Sequence, residues 1–442
     1  MNWESVRDEA THLLQDLLRF NTTNPPGNET PCAEFIANLL KQEGFEPIVL
    51  ESAPGRGNVV TRLKGDGSQP PLLLMGHIDV VPAETDKWKR PPFSGDLVDG
   101  VIWGRGATDM KNMVTIELMT MLLLKRENVS LKRDVIFMAT ADEETGGRMG
   151  AGFLADNHAD LIRAEYAINE GGATSIELGG KIFFVCSNAE KGSARFTLRG
   201  RGDPGHASQP TRRHSMLPLA QAIIKLIQNP LPLRITQTAR AHVQSLARNV
   251  DADLAKLLSE LLEPETHERA MQALPLGDAT KRRLNAALHN TAVPTILRAG
   301  TKINVIPATA ECDVDCRILP GTTFESLEKE LRGVVGNEVE IDFGPMYNAL
   351  ESDPASPLFE TISQTVAKHT NGGIVVPGLI TGGTDAKSVT KLGTKVYGFV
   401  PQRYEGPNMS GLAHAHNERV SVANIDFGTQ VLYDVVRQFC GS

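Results

Sequence analysis

Short apolar runs alternate with helical patterns along the first part of the chain, and few folds are compatible with this alternation. LLLMGHIDVV, DVIFMATAD and YAINE have the length of buried strands, whereas residues 4–20, 30–43 and about 111–125 repeat their apolar positions at helical spacing. Strands that alternate with helices in this way indicate a layered α/β domain. We therefore expect an α/β fold in which helices flank a mostly parallel sheet.

The pattern changes near residue 188 and changes back near residue 346. KGSARFTLRGRG and INVIPATAECDVDCRILP alternate polar and apolar residues, which is typical of half-exposed antiparallel strands. The helical patterns between them cover residues 217–228, 254–262 and 279–289. We therefore expect a main domain built from residues 1–187 and 347–442, with an α+β domain of residues 188–346 inserted into it.

Charge and hydropathy argue against two classes of partner. The 442 residues include 45 Lys and Arg against 53 Asp and Glu, a net charge of −8, and they lack the basic stripe that a nucleic-acid-binding surface needs. Apolar runs stay short of the ~18 residues that a membrane helix requires. The N-terminus MNWESVRDEATHLL carries charges where a signal peptide has an apolar stretch. We expect neither nucleic acid nor a membrane as partner.

The cysteines indicate a reducing compartment. They are odd in number and scattered, at Cys32, Cys186, Cys312, Cys316 and Cys440. Cys312 and Cys316 share one face of the expected strand ECDVDCRI, where they lie four positions or ~13 Å apart, too far for a disulfide bond. We expect reduced, packed cysteines and a cytoplasmic protein.

The first candidate groups lie where an apolar run ends and where a glycine-rich turn begins a helix. His77 and Asp79 follow LLLMG, and side chains two residues apart on a strand point the same way. A metal-bound imidazole usually donates its second N–H to a carboxylate; the alternative is a strand-end histidine satisfied by an ordinary neighbour. Asp109 in GRGATDMK fits the ligand-binding carboxyl edge of a sheet, and it also fits an ordinary helix N-cap.

Further candidates follow two more apolar runs and a long loop. Glu143 and Glu144 end FMATADEE, and two adjacent carboxylates are costly to desolvate unless a cation or a reaction occupies the site. The alternative for this pair is a solvated acidic turn. The remaining candidates for the site are Glu170 in YAINE and His414, His416 and Glu418 in LAHAHNERV.

Five of these candidates form a set of mixed nitrogen and oxygen donors within one α/β layer. The set is His77, Asp109, Glu144, Glu170 and His414. Two histidines and three carboxylates suit a pair of zinc ions with one carboxylate bridging. The competing signal GRGDPG formally matches G-x-G-x-x-G, but Pro204 and Pro210 leave no room for the helix that a dinucleotide needs.

Six motifs, taken in order, resemble those of a known enzyme family. GHIDVVP, GRGATDMK, ADEETGG, NEGG, GHAS and HAHNE extend across most of the chain. Their order is similar to that of the di-zinc aminoacylase and carboxypeptidase family. Its members include glutamate carboxypeptidase, acetylornithine deacetylase, succinyl-diaminopimelate desuccinylase and yeast carboxypeptidase S.

The resemblance implies a role for each candidate at the metal centre. It places His77 and Glu170 on one zinc ion, Glu144 and His414 on the other, and Asp109 between the two. The first histidine of HAHNE matches the family's ligand, so that His416 is not expected to bind the metal. The resemblance also makes Asp79 the group that orients His77, and Glu143 the general base.

The resemblance extends to the inserted domain, which matches the family's lid and dimerisation domain. His206 of PGHAS matches a residue that reaches the active site of a neighbouring subunit, and the strands ARFTLRG and ECDVDCRI offer an edge for pairing with a second copy. Residues associated with binding the substrate's carboxylate match Asn304, Arg317, Gly383 and Thr384. We therefore expect a homodimer formed through the inserted domain.

The expected activity is hydrolysis of an amide bond next to a free carboxylate. Zinc lowers the pKa of bound water towards ~7, which supplies the hydroxide that the reaction needs, although Co²⁺ or Mn²⁺ also suits mixed nitrogen and oxygen donors. The substrate would be a small peptide or an N-acyl amino acid. The alternatives are a deacylase of the acetylornithine or succinyl-diaminopimelate type and a non-catalytic binding protein of the same fold.

Overall fold

The computed structural model describes residues 1–172 and 175–442. Its α-helices are α1 (Trp3–Arg19), α2 (Thr30–Gln42), α3 (Lys111–Arg126), α4 (Ala151–Asn157), α5 (Ala159–Ile162), α6 (Met216–Gln228), α7 (Gln237–Ala247), α8 (Ala252–Glu260), α9 (His267–Ala273), α10 (Asp278–Leu288), α11 (Phe324–Val335), α12 (Pro357–His369), α13 (Ala386–Val389) and α14 (Val422–Cys440). Its strands are β1 (Ile48–Glu51), β2 (Gly57–Leu63), β3 (Leu72–His77), β4 (Asp96–Val98), β5 (Val101–Trp103), β6 (Val135–Thr140), β7 (Tyr166–Asn169), β8 (Ser175–Leu178), β9 (Lys181–Glu190), β10 (Gly192–Ser193), β11 (Phe196–Arg201), β12 (Gly205–His206), β13 (Thr291–Ala299), β14 (Val305–Ile306), β15 (Thr309–Ile318), β16 (Glu340–Phe343), β17 (Leu350–Glu351), β18 (Ile374–Ile380), β19 (Lys395–Gly398) and β20 (Arg419–Ser421).

The chain divides into two compact units. The first unit contains residues Met1–Asn188, Ser352–Gly378 and Thr384–Ser442, and the second contains Ala189–Glu351 and Leu379–Gly383. The domain boundaries expected at residues 187/188 and 346/347 remain a prediction, for which limited proteolysis is the direct test.

Four parallel strands form the centre of the sheet in the first unit. Their order is β6-β3-β7-β19, and β2 and β9 join this core antiparallel at its two sides. All residues of β3 and of β6 are buried, as expected for strands that are covered on both faces. The expected α/β architecture with a largely parallel sheet is therefore confirmed.

Helices α1, α3 and α14 pack against one another, α12 packs against α14, and α3 also packs against β3 and β6. Residues 111–124 of α3 are all buried, polar residues among them, so this helix is covered on all sides rather than along a single apolar face. Lys111 at its first turn donates to the carbonyl oxygens of Leu17 (3.0 Å) and Phe20 (2.9 Å) at the end of α1. These bonds fix the start of α3, two residues after Asp109. Within the described part of the chain, every helix is too short or too polar to span a bilayer.

The second unit has an antiparallel sheet covered by α6 and α11. Strand β15 alternates buried and half-buried residues along its whole length, with Cys312, Val314 and Cys316 on the buried side. All five cysteines of the chain are free and buried. Outward-facing partners form ion pairs across the strands, such as that of Arg199 with Glu311 at 2.7 Å. The alternating pattern in the sequence is thus that of a sheet with one covered face.

The strands that were expected to offer an edge are interior strands. ARFTLRG forms β11, which pairs with β15 and β16, and ECDVDCRI lies in β15, which pairs with β11 and β13. The edge beside β15 is instead β13, within the described residues. Its sequence TAVPTILRA contains Pro294, and proline is tolerated in an edge strand because one side of that strand needs no ladder hydrogen bond.

Candidate metal centre

The parallel strands bring three of the candidate segments to one edge of the sheet. Strand β3 ends at His77 opposite Thr140, the last residue of β6, and a short 3₁₀ turn of residues Glu143–Thr145 follows β6. Strand β7 ends one residue before Glu170. The carboxyl ends of parallel strands are the usual position of ligands in open α/β sheets. The topology thus collects a histidine and three glutamates at this edge.

Asp109 connects two histidines from distant parts of the chain. Its Oδ1 lies 3.1 Å from Nε2 of His77, and its Oδ2 lies 3.2 Å from Nε2 of His414. Nε2 of His414 also lies 3.1 Å from Oε2 of Glu144. Nε2 of His77 lies 3.9 Å from Oε1 of Glu170. Asp109 is not an N-cap, because the N-cap of α3 is Met110 and makes no side-chain capping bond. Each half of the cluster thus has one histidine, one glutamate and one oxygen of Asp109.

Asp79 fixes the orientation of His77 and of the two adjacent glutamates. Nδ1 of His77 lies 3.0 Å from the carbonyl oxygen of Asp79 and 3.4 Å from its Oδ1, both of which are acceptors, so Nδ1 carries the proton. The Asp79 carboxylate also accepts the backbone N–H groups of Glu143 (3.1 Å) and Glu144 (3.2 Å). Asn24 donates to the second oxygen of this carboxylate at 2.8 Å. One buried carboxylate therefore positions three of the candidate side chains.

The arrangement of donor atoms fits a cation. Nε2 of His77 faces an acceptor oxygen of Asp109, so a positive charge, either a proton or a metal ion, has to lie between them. Two ligand atoms that share a tetrahedral zinc ion at ~2.0–2.1 Å lie about 3.3 Å apart, close to the separations observed here. Glu144 also has a buried oxygen, Oε1, without a hydrogen-bond partner among the described residues. The donor set therefore fits divalent metal ions.

Carboxylates and imidazoles in this cluster change each other's pKa values. Hydrogen bonds to Asp109 and Glu144 raise the pKa of His414 to about 10. Burial alone would raise the pKa of Asp109, but hydrogen bonds from His414 and His77 hold it well below its usual value. Burial raises the pKa of Glu143 to about 8. A metal ion at this centre competes with protons for the same nitrogen and oxygen atoms.

The acidic pair Glu143 and Glu144 is not a solvated turn. Only 6% of the Glu144 side chain is exposed, and Glu143 offers an oxygen within 4.8 Å of ligand atoms of His77 and Glu170. The structure therefore brings together His77, Asp79, Asp109, Glu143, Glu144, Glu170 and His414. His416 lies outside this group, since its Nε2 pairs with Glu84 at 2.7 Å.

The second unit contains His206 and Asn304 on neighbouring segments. His206 in β12 pairs with Val305 in β14, and the backbone N–H of Ala207 donates to the carbonyl oxygen of Asn304 at 3.0 Å. The backbone N–H of Ser208 donates to Nδ1 of His206 at 3.2 Å, so Nδ1 is an acceptor and the proton of a neutral ring is on Nε2. His206 is exposed. It therefore offers an N–H donor to an external group.

The other proposed substrate-binding residues differ in exposure and in the hydrogen bonds that they already make. They are Arg317, Gly383 and Thr384. Arg317 in β15 donates from Nε to Asp315 at 2.7 Å, which leaves part of its guanidinium exposed. Gly383 is exposed at the end of the second segment of the second unit. Thr384 is buried, and its hydroxyl accepts from Asn169 at 2.8 Å. Arg317 and Gly383 are thus more accessible to a ligand than Thr384.

Two buried carboxylates near the centre were not assigned a role from the sequence. Glu418 ends the motif HAHNE and has no exposed surface. Asp385 follows GGT, and its Oδ2 accepts the hydroxyl of Thr140 at 3.1 Å, while burial raises its pKa to about 7. The sequence signal for these residues is an acidic side chain at the end of a motif (Glu418) or directly after one (Asp385).

The chain is similar to proteins of one family. Residues 73–438 match the model of peptidase family M20/M25/M40. The chain is 30% identical over 436 residues to the mouse (Mus musculus) N-fatty-acyl-amino acid synthase/hydrolase PM20D1, a match that covers 93% of this chain and 83% of that protein. It is also 30% identical over 396 residues to the probable carboxypeptidase S-like 2 of Dictyostelium discoideum, over 86% and 74% of the two chains. The crystal structure of the M20 family metallo-carboxypeptidase Sso-CP2 from Sulfolobus solfataricus has the same fold, with a TM-score of 0.69 at 20% identity over 98% of this chain and 99% of that chain.

Proposed function

Because the chain belongs to peptidase family M20/M25/M40 and is a metal-dependent hydrolase, we propose that its substrate is an N-acylated amino acid with a free carboxylate. The C-terminal residue of a peptide belongs to the same chemical class, because it too is an amino acid acylated on nitrogen. The matched relatives are described as an N-fatty-acyl-amino acid synthase/hydrolase and a carboxypeptidase S-like protein. Both descriptions fit cleavage of this one type of amide bond.

The position of Asp109 supports a centre with two metal ions. Its two oxygens contact different histidines, at 3.1 and 3.2 Å, and a carboxylate in that position suits a bridge. We assign His77 and Glu170 to one ion and His414 and Glu144 to the other. Zinc ions, when bound, lower the pKa of water and polarise the carbonyl group of the substrate; Co²⁺ or Mn²⁺ would fit the same donors.

Glu143 is the proposed general base. It lies beside His77 and Glu170, and its backbone is held by Asp79 at 3.1 Å. A carboxylate in this position accepts the proton of the attacking water and then donates it to the amine that leaves. Asp79 is a positioning residue, since it orients both His77 and the peptide that carries Glu143.

The substrate's charged and polar groups would be bound by the second unit. Arg317 presents a planar guanidinium that matches a carboxylate, and Asn304 and Gly383 offer further donors. Because Nδ1 of His206 accepts the N–H of Ser208, its Nε2–H is available to stabilise the oxyanion of the transition state. The resemblance of PGHAS to the family motif supports a role for His206 in the active site of a partner subunit.

A homodimer would form through an apolar surface of the second unit, which we call the β13 surface. It comprises β13 and the adjacent helix α6, and its most exposed apolar side chains are Val293, Ile296, Leu297, Leu217, Ile224 and Ile227. A long apolar edge strand is normally covered in native proteins. Antiparallel pairing of β13 with its copy across a two-fold axis would cover both the edge and the apolar side chains.

The cellular location remains a prediction. The five free, buried cysteines support a reducing compartment such as the cytoplasm.

The metal content of variants at the proposed ligands, compared with that of a control histidine variant, tests the proposed centre. The wild-type protein should bind two Zn²⁺ ions per chain, and Asp109→Ala and His414→Ala should bind markedly less by elemental analysis. His416→Ala is the control, because His416 pairs with Glu84 instead, and it should retain both ions. Full metal content in Asp109→Ala would remove Asp109 from the bridge. A panel of N-acyl amino acids, N-succinyl amino acids and dipeptides would then define the acyl group.

A further inference from the structure

A buried carboxylate that the proposed reaction does not use lies beside the metal centre. Glu418 is completely buried. Its Oε1 accepts the backbone N–H groups of Thr108 (2.7 Å) and Asp109 (3.0 Å) and the hydroxyl of Thr108 (2.9 Å). Its Oε2 accepts the backbone N–H of Gly106 (3.0 Å) and the guanidinium of Arg105 (2.6 Å). Five donors therefore converge on one side chain.

Most of these donors belong to the turn that presents Asp109. Three of the five are backbone N–H groups between residues 106 and 109, so the hydrogen bonds restrain the main chain rather than a mobile side chain. One of them is the N–H of Asp109 itself. The two oxygens of Asp109 face two different histidines, so a small rotation of this turn would lengthen at least one of these contacts.

The same residue connects this turn to the loop that carries His414. The backbone N–H of Gly104 donates to the carbonyl oxygen of Glu418 at 3.1 Å, and Arg105 donates to the carbonyl oxygen of His414 at 3.5 Å. Strand β20 begins at the next residue, Arg419, and pairs with Trp103 in β5. The turn and the loop are therefore held together by both the main chain and the side chain of Glu418.

A buried ion pair alone is a weak source of stability, because desolvation of the two charges offsets their attraction. Backbone N–H groups that point at one carboxylate instead fix a geometry. We propose that Glu418 is a positioning residue that sets the separation of Asp109 and His414 and thereby the affinity of the centre for its metal ions. This inference rests on the proposed function, since it concerns the same two ligands.

Titration of the metal-free protein with Zn²⁺ and with Co²⁺ tests the proposal. Glu418→Gln keeps the size of the side chain but replaces one acceptor oxygen with an NH₂ group, which would oppose at least one of the five donors. Outer partners of metal ligands typically change metal affinity by about 10–100-fold, and we expect a loss of this size by calorimetry. We also expect a changed visible absorption spectrum of the Co²⁺ form, which a purely structural role would not alter.

Two further variants keep the test decisive. Thr108→Val removes only the hydroxyl donor, and we expect a loss of about threefold to tenfold in affinity; this variant decides the matter if Glu418→Gln does not fold. Glu330→Gln is the matched control, because Glu330 in the second unit also accepts from an arginine, Arg234, at 2.7 Å and is largely buried. It should lower stability and leave metal affinity and the Co²⁺ spectrum unchanged.

The possible outcomes separate this inference from the proposed function. A folded Glu418→Gln protein with wild-type affinity and an unchanged Co²⁺ spectrum would overturn the role of Glu418. Equal losses of affinity in Glu418→Gln and Glu330→Gln would also overturn it, since the effect would then be one of general stability. If the wild-type protein bound neither Zn²⁺ nor Co²⁺, the proposed function itself would be wrong.

Discussion

Glu143 and Glu144 are adjacent in sequence but have different surroundings. Glu144 contacts His414 at 3.1 Å, whereas Glu143 lies near His77 and Glu170. Both residues lie in the 3₁₀ turn after β6, in which about three residues make one turn, so adjacent side chains point in different directions. The backbone N–H groups of both residues donate to Asp79, so a single carboxylate fixes the main chain that carries both side chains.

The first prediction concerns the general base. Glu143→Ala should retain both metal ions and lose about 10²–10⁴-fold in kcat, because this side chain moves a proton and is not needed for coordination. Glu144→Ala should instead lose metal. The measurements are elemental analysis and steady-state kinetics on the same preparations. Metal loss in Glu143→Ala together with retention in Glu144→Ala would reverse the assignment.

The second prediction concerns Lys191 in the second unit. Its Nζ donates to the carbonyl oxygen of His289 at 2.7 Å and to the hydroxyl of Thr291 at 3.3 Å. Burial lowers the pKa of Lys191 to about 8, whereas a lysine in an unfolded chain has a pKa of ~10.4. Between these values the unfolded chain binds a proton that the folded protein does not, so the contribution of Lys191 to stability rises with pH and is lost as pH falls through 8.

Urea unfolding at pH 7 and pH 10 measures this effect. Lys191→Met has no group that titrates at this position, and the free energy of unfolding of the wild-type protein should increase relative to that of the variant by about 1–3 kcal/mol between the two pH values. An identical difference at both pH values would show that Lys191 stays charged in the folded protein.

At the scale of elements, the centre depends on the contact between β3 and α3. Strand β3 ends at His77, and α3 begins two residues after Asp109, so the separation of these elements sets the distance between the two side chains. Gly76 lies at this contact. A Cβ atom on Gly76 would lie 2.8 Å from Cγ2 of Val114 and 2.9 Å from Cε of Met110. The terminal methyl of Met110 can move, but the β-branched side chain of Val114 has little rotamer freedom in a helix.

The third prediction follows from that contact. Gly76→Ala should lower the free energy of unfolding by about 1–3 kcal/mol, because overpacking forces the helix away from the strand, and it should also weaken metal binding. Gly333→Ala is the matched control. No atom lies within 4 Å of the Cβ position of Gly333 in α11, so this change should raise stability by about 0.5–1 kcal/mol through helix propensity. Destabilisation by both changes to the same extent would rule out a specific contact effect.

At the scale of the whole molecule, activity should depend on association through the β13 surface. Leu297→Lys on β13 and Ile227→Lys on α6 place a charge on side chains that are 66% and 68% exposed in the single chain. We expect both variants to be monomeric by analytical ultracentrifugation. If His206 acts in a partner's site, kcat should also fall by about 10²–10³-fold. Ile182→Lys changes an exposed residue of the first unit in the same way, and it should remain a dimer.

Mixed dimers separate a contribution of His206 to the partner from one to its own chain. One chain carries His206→Ala and the other carries Glu143→Ala, and each is nearly inactive alone. Random reassortment gives about half mixed dimers, and if His206 acts across the interface each of these has one complete site, so about a quarter of wild-type activity should return. A preparation with proven subunit exchange and no recovered activity would show that His206 serves its own chain.

The local features of this protein follow from short-range patterns in its sequence. The strands LLLMGH and VIFMAT, the buried helix α3 and the buried cysteines of β15 could be predicted because each depends on residue spacings of two to four positions. The candidate ligands could be found because they end apolar runs or lie in short motifs with specific residue types. In the inserted region, α7 and α9 were not expected, since their buried residues include alanine, threonine and histidine rather than a regular series of large apolar side chains.

Contacts between distant groups depend on the packing of the whole chain. The contact of Glu418 with Thr108 joins residues separated by 310 positions, and no periodic pattern in the sequence encodes such a pair. The position of β13 at the sheet edge likewise follows from the pairing of β15 with β11 and β13, which depends on how the whole sheet buries its apolar face. Local patterns arise from backbone geometry, whereas the position of Asp109 between His77 and His414 exists only when β3, α3 and the 401–418 loop pack together.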